Sequence, residues 1–172
     1  MIEVVIDSIR VSLMSQHRIV ILKDITSDRY LPIWIGPCEA DAITIELQEM
    51  PPQRPLTHDL LKNTIRELGG RVVHILINDL RNDVYYARVV IDLGSRQVEV
   101  DSRPSDAIAL AVRTKAPIFV NEVVMDKGAI QPEDDVETEI APPDGEMADD
   151  RLSAFNDFVN SLDLEDLDDE ND

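Results

Sequence analysis

Branched aliphatic residues crowd the first third of the chain in short blocks, and their spacing changes abruptly after Gly36-Pro37. From Ile2 to Leu13 the pattern partly alternates, with Val5, Asp7, Ile9 and Val11 on one side and Ile6, Ser8 and Arg10 on the other, which predicts a long strand. Ile19-Val20-Ile21-Leu22 and Tyr30-Leu31-Pro32-Ile33-Trp34-Ile35, separated by Ser27-Asp28-Arg29, predict two more strands and an antiparallel meander. Pro32 has no N–H to give to a ladder, so the third strand is expected at an edge.

Past Gly36-Pro37 the period becomes helical, with Ala40, Ile43, Leu47 and Met50 on one face and Glu39 in the first turn, where a carboxylate suits the helix dipole. Pro51-Pro52-Gln53-Arg54-Pro55 stops this helix. A second, capped by Thr57 and carrying Asp59 near its start, is expected to turn Leu61, Ile65 and Leu68 inward before Gly69-Gly70 ends it. Strands follow over 71–79, 84–93 and 97–101. A third helix opened by Pro104 runs over 105–114 and buries Ile108, Ala111 and Val112, and Pro117 precedes a short strand at Ile118-Phe119-Val120. Strands and helices in separate blocks predict an α+β domain over 1–129, a mixed or antiparallel sheet flanked by helices. Pro37-Cys38-Glu39-Ala40 is echoed by Pro104-Ser105-Asp106-Ala107, a pattern that a common way of opening helices explains more simply than duplication.

The composition then shifts. Residues 130–146 are acidic and contain Pro132, Pro142 and Pro143, as a linker does. Over 147–163, Leu152, Phe155, Val159 and Leu162 recur at helical spacing, and 164–172 form an acidic end expected to be disordered. An amphipathic helix this short is marginal alone, so this acidic C-terminal extension is expected to need a protein partner with an apolar groove and a basic rim. Net charge is −19, but Ile130 to Asp172 hold 17 acidic residues against one basic, leaving 18 acidic and 15 basic before them. The body therefore has no global basic field, and phosphate binding must come from a local cluster. A hydrophobic fraction of 44% and a charged fraction of 30% exclude collagen-like and wholly disordered chains. No apolar run suits a membrane span, and Met1-Ile2-Glu3-Val4 does not begin a secretory signal, so a cytoplasmic protein is expected. Cys38 is the single cysteine, which excludes an internal disulfide and a thiolate zinc cage; it is expected to be small and at least half-buried. Trp34, Tyr30, Tyr85 and Tyr86 are expected in the core or an interface.

Phosphate loops, Cys-x-x-Cys pairs, His-Glu-x-x-His and nucleophile elbows are absent from the sequence. Three segments carry polar residues that packing alone does not demand: 35–40, 54–60 and 100–107. The combination of Leu31-Pro32-Ile33-Trp34-Ile35-Gly36 with Glu39-Ala40, Arg54-Pro55-Leu56-Thr57-His58-Asp59-Leu60-Leu61 and Asp101-Ser102-Arg103-Pro104-Ser105-Asp106-Ala107-Ile108-Ala109-Leu110 resembles the bifunctional nuclease domain family, or domain of unknown function 151. The resemblance spans Met1 to Val124 and rests on three motifs in order. It implies an α+β domain that forms homo-oligomers and a nuclease acting on RNA or DNA.

For metal-assisted hydrolysis of a phosphodiester, the polar residues of these segments offer a catalytic set of Glu39, His58, Asp59, Asp101 and Asp106. Glu39, Asp59, Asp101 and Asp106 offer oxygen ligands, with Asp101 and Asp106 the expected pair for Mg²⁺ or Mn²⁺. His58 is a ligand or a general acid or base, and Arg54 and Arg103 fork onto phosphate. The same acids also stabilise first turns and pair with the arginines, which is the structural alternative. At the level of the whole molecule the alternative is a non-enzymatic oligomeric scaffold or regulatory protein that binds its partner through the acidic C-terminal segment. Either way, 54–59 and 101–106 are expected to meet in space, and the edge strand Tyr30 to Ile35 is expected to drive self-association.

Overall fold

The computed structural model describes residues 1–11, 18–50 and 52–131. The linker past Gln131, the helix expected over 147–163 and the acidic end over 164–172 lie outside the described residues.

β1 (Ile2–Val11) is long, as its sequence requires, but its alternation breaks at Asp7. Pairing with β2 (Arg18–Asp24) shifts between Ile6↔Leu22 and Ser8↔Ile21, so a bulge re-phases the strand. Ile6 and Ile9 therefore both pack on the core, whereas a regular pleat would set them on opposite faces. β3 (Tyr30–Ile35) pairs antiparallel with β2 and completes the meander.

The remaining strands are β4 (Arg71–Arg81), β5 (Val84–Asp92), β6 (Gln97–Ser102) and β7 (Ile118–Val120). β4 and β5 form a hairpin whose turn residues Asn82 and Asp83 both adopt positive φ, the conformation that matches the twist of such strands. The seven strands take the order β3-β2-β1-β7-β4-β5-β6. β7 joins the two antiparallel blocks, antiparallel to β1 and parallel to β4, which makes the sheet mixed. As Pro32 requires, β3 is an edge strand, and Tyr30 at its start bridges to Ile130.

α1 (Pro37–Leu47), α2 (Thr57–Glu67), α3 (Pro104–Thr114) and α4 (Glu122–Gly128) complete the described body. α3 is the central helix. It packs on β4 and β5, with α1 and α2 against it, and its alanines at 107, 109 and 111 are buried where the neighbouring elements approach closely. The core gathers Leu22, Leu31, Ile43, Ile75, Ile77, Ile108 and Met125.

Several expectations need correction. α4 was not foreseen; only Val124 and Met125 of its seven residues are buried, too few to give a periodic signal. α2 buries no residue fully: Ile65 packs on the core, while Leu61 is exposed and Leu68 is 77% exposed, because α2 rests on α3 by its polar side. Leu47 and Met50 of the first helical run are also exposed. No helix among the described residues is long and apolar enough to cross a membrane.

Candidate functional site

Three helices begin alike. Taking Pro37, Thr57 and Pro104 as the first helical residues, the third position of each helix is an acid: Glu39, Asp59 and Asp106. A carboxylate there faces unpaired first-turn N–H groups and the positive end of the helix dipole. Because α1 and α2 both pack against α3, the acids approach one another and two arginines take up their charge.

Arg103, the residue before α3, joins the first helix to the third. Its Nε donates to Asp106 Oδ2 at 2.7 Å and its terminal nitrogen to Asp106 Oδ1 at 3.1 Å, while the same nitrogen donates to Glu39 Oε1 at 2.7 Å. The side chain remains 67% exposed, so the guanidinium is fixed from one side and open on the other. His58 Nε2 lies 3.2 Å from Asp106 Oδ1, which brings α2 into the same cluster. Burial pushes the Asp106 carboxyl up, but hydrogen bonds from Arg103 and His58 outweigh it and hold the group below the usual carboxylate range. Asp106 and Glu39 in turn push the Arg103 guanidinium up.

Gly36 makes room for this arrangement. Its backbone is extended, with φ −69° and ψ 156°, so no special conformation demands glycine. The demand is space: a Cβ at this position would collide with the Glu39 carboxylate.

Asp59 belongs to a second pairing. Its Oδ2 accepts the Leu56 N–H at 2.8 Å and its Oδ1 accepts Arg113 Nε at 2.8 Å. Burial raises the Asp59 pKa, whereas the Leu56 N–H and Arg113 lower it and prevail. Arg113, with a side chain only 1% exposed, also donates to the carbonyls of Ala109 at 2.8 Å and Ala42 at 3.0 Å. One buried guanidinium thus ties α1, α2 and α3 together. Sequence reasoning missed it, since an arginine in the last turn of a helix is an ordinary partner for the dipole. The one available signal was its position on the Ala-rich, buried helix. Thr57, expected as the cap, is instead the first helical residue and exposed, and capping is done by Asp59 reaching back to Leu56.

The expected meeting of 54–59 with 101–106 therefore occurs, through His58, Asp106 and Arg103. Glu39 joins them. Arg54 does not: it is exposed and forms no ion pair among the described residues. Asp101 does not either. It is exposed on β6 opposite Arg88, and strand alternation sets it on the face of β6 that looks away from the core-facing Val98. Among the described residues no three His, Cys, Asp or Glu side chains form a group that can hold a metal ion. The carboxylates of Glu39 and Asp106 converge on a guanidinium instead, so the cluster does not fit an all-protein cage for Mg²⁺ or Mn²⁺.

A groove of about 680 Å³ opens beside the cluster, walled by Cys38, Glu39, Leu56, His58, Arg103 and Asp106. Cys38 is exposed there, contrary to expectation. A cation fixed by two carboxylates and an imidazole beside it form a place where an anionic oxygen can be held next to a group able to move a proton.

The model of the bifunctional nuclease domain matches residues 20–133, a stretch that contains every member of the cluster. An uncharacterized protein of Mycobacterium tuberculosis is 36% identical over 165 residues, covering 96% of this chain and 97% of its own. Bifunctional nuclease 1 of Oryza sativa subsp. indica is 31% identical over 108 residues, 61% of this chain and 33% of that one. Bifunctional nuclease 2 of Arabidopsis thaliana is 33% identical over 72 residues, 40% of this chain and 22% of that one. With the family model spanning the body from β2 through α4, and all three helix starts of the Arg103 cluster inside it, the chain belongs to the bifunctional nuclease domain family.

Proposed function

We propose that this protein hydrolyses phosphodiester bonds of RNA or DNA in the groove beside Arg103. The observation that carries the reading is the guanidinium of Arg103, fixed by Glu39 and Asp106 and open to solvent, with His58 bonded to the same Asp106. Arg103 binds a non-bridging phosphate oxygen and meets the charge that develops in the transition state. His58, oriented by Asp106, moves the proton of the attacking water or of the leaving oxygen. Asp59 serves the site at one remove, by holding the start of α2 and with it His58.

Metal assistance is a finer part of the proposal. With Glu39 and Asp106 engaged by Arg103, a divalent cation would have to be held mainly by substrate phosphate oxygens with one of these carboxylates, where it would neutralise charge on the phosphate. Self-association is proposed as well, supported by the β3 edge and by the exposed Leu60 and Leu61 of α2 and Leu68 just past its end.

The test is hydrolysis of labelled RNA and single-stranded DNA by highly purified full-length protein, with and without added Mg²⁺ or Mn²⁺, beside an Arg103→Ala/His58→Ala double variant purified identically. Activity in the wild type and its loss in the variant are expected. Equal degradation by both preparations would assign the activity to a contaminant and end the reading.

A further inference from the structure

Before Ile130 the chain carries 18 acidic and 15 basic residues, so a gathering of cations at one place needs a reason. One lies further along α2 from His58. A groove of about 350 Å³ opens between the second half of α2, the end of α3 and the start of β4, lined by Lys62, Arg66, Arg71 and Lys115 and by no acidic residue. Arg66 and Arg71 each meet one carboxylate, Glu67 at 3.2 Å and Asp92 at 3.5 Å, yet their side chains stay 66% and 76% exposed. Lys115 is exposed and Lys62 half-buried, and neither forms an ion pair among the described residues. Arg113 also lines the groove but is held by Asp59 and two carbonyls. Helix dipoles account for Arg66 and Lys115, which stand at the ends of α2 and α3. They do not account for Lys62 within α2 or for Arg71 on a strand.

We propose that this groove is a second phosphate site, holding the backbone of the nucleic acid whose scissile phosphate lies on Arg103. The proposal rests on the phosphodiester reading and gives the substrate a minimum length. Three observations carry it. His58, Lys62 and Arg66 follow one another at four-residue intervals, which on a helix makes a row leading from the Arg103 groove into the basic one. Each step rises about 6 Å, so the cations stand roughly 6 to 12 Å along α2 from His58, a span of about two to four nucleotides. No aromatic residue lines the groove, so it offers no platform for a base, whereas its cations suit the phosphates that every sequence shares. In a body close to charge balance, such a cluster is the local source of positive potential that a polyanion needs. The groove thus favours strands that extend past the cleaved bond, without preference for their sequence.

The experiment compares the full-length wild type with Lys62→Gln/Arg71→Gln/Lys115→Gln, none of which belongs to the core. Binding of a short labelled RNA and the matching single-stranded DNA is followed by fluorescence anisotropy against salt, beside hydrolysis. Three phosphate contacts at a slope of about 0.7 each predict that wild-type affinity falls between 50 and 200 mM salt by roughly 20-fold more than that of the variant. Arg71→Gln alone, at an exposed side chain, should lower the slope by about 0.7 and serves if the triple variant does not fold. KM for the short strand should rise in the triple variant with kcat unchanged, while hydrolysis of a dinucleotide, whose one phosphate reaches Arg103 alone, should be unaltered. Lys23→Gln/Arg81→Gln/Lys127→Gln makes the same change of charge outside the groove and should keep the wild-type slope. An unchanged slope in the groove variants, an equal loss in the control variant, or displacement of RNA by a polyglutamate peptide as readily as by unlabelled RNA would overturn the inference. Groove-dependent binding by a wild-type protein that hydrolyses nothing would support the groove and sink the nuclease reading. Hydrolysis of the short strand with KM unchanged in the groove variant would do the reverse.

Discussion

Nε2 of His58 lies 3.2 Å from Oδ1 of Asp106, across a sequence separation of 48 residues, and the same carboxylate receives two hydrogen bonds from Arg103. Asp106 is the hinge of the candidate site. It orients an imidazole on one helix and, together with Glu39, a guanidinium at the start of another.

The two arginines of the helix starts should separate function from stability. Arg103→Ala removes an exposed guanidinium, so the melting temperature should move by no more than a few degrees, since exposed ion pairs contribute about 0 to 1 kcal/mol. Hydrolysis should fall by about 100-fold or more, as when one preorganised transition-state donor is removed. Arg103→Lys should not restore it, because an ammonium cannot grip Glu39 and Asp106 with a fixed fork. Parallel melting curves and initial rates check both halves.

Arg113→Met should show the opposite profile. The change strips Asp59 of its cation and removes the side-chain bonds that join the Ala42 and Ala109 carbonyls to it. Breaking a buried pair of this kind costs about 3 to 5 kcal/mol. Urea unfolding should show the loss as a lower midpoint, and an unchanged midpoint would remove Arg113 from its structural role.

Gly36→Ala tests whether Glu39 positions Arg103. The added methyl displaces the Glu39 carboxylate. Hydrolysis should fall by about as much as in Glu39→Gln, and the double variant should be no worse than either single one, because both remove the same contact. Additive losses would show that Gly36 serves another purpose.

Stability should depend on acid pH in one direction. Asp24 is fully buried and meets Arg29 at 3.0 Å, together with hydrogen bonds from Ser27 and Thr26. Burial pushes its carboxyl up, but these bonds prevail and hold it well below the usual range, and Asp59 and Asp106 are lowered too. A carboxyl whose folded pKa is depressed contributes stability that is complete above its unfolded value of about 4 and is lost as pH falls toward the folded one. Urea midpoints should be level from pH 7 to about pH 5 and drop below about pH 4. Asp24→Asn should flatten that drop as well as lower the plateau.

Self-association predicts a species heavier than the 19.4 kDa chain in sedimentation velocity at micromolar concentration. Leu61→Glu/Leu68→Glu should shift it toward the monomer, since neither leucine is needed by the core. A wild-type protein that sediments only as a monomer would refute the proposal.

The elements were largely legible in the sequence because they depend on neighbours a few residues apart. The change of period at Gly36-Pro37, the stops at Pro51 and Gly69, and an acid in the first turn of α1, α2 and α3 are all local. Even the echo between Pro37-Cys38-Glu39 and Pro104-Ser105-Asp106, which local helix chemistry seemed to explain, marks the two acids that meet on Arg103. What tertiary structure alone decided is which face each element presents. Asp101 and Asp106 are close in sequence, yet strand alternation sets the first on the face of β6 that looks away from the core-facing Val98. Leu61 and Leu68 look like core residues until α2 docks on α3 by its polar side. Arg113 finds its partners 54 and 71 residues back in the chain, and such distances are closed only by burial of the whole core. A helical or strand period fixes which residues share a face; the direction in which that face points is set by packing between elements, which no local window of sequence contains.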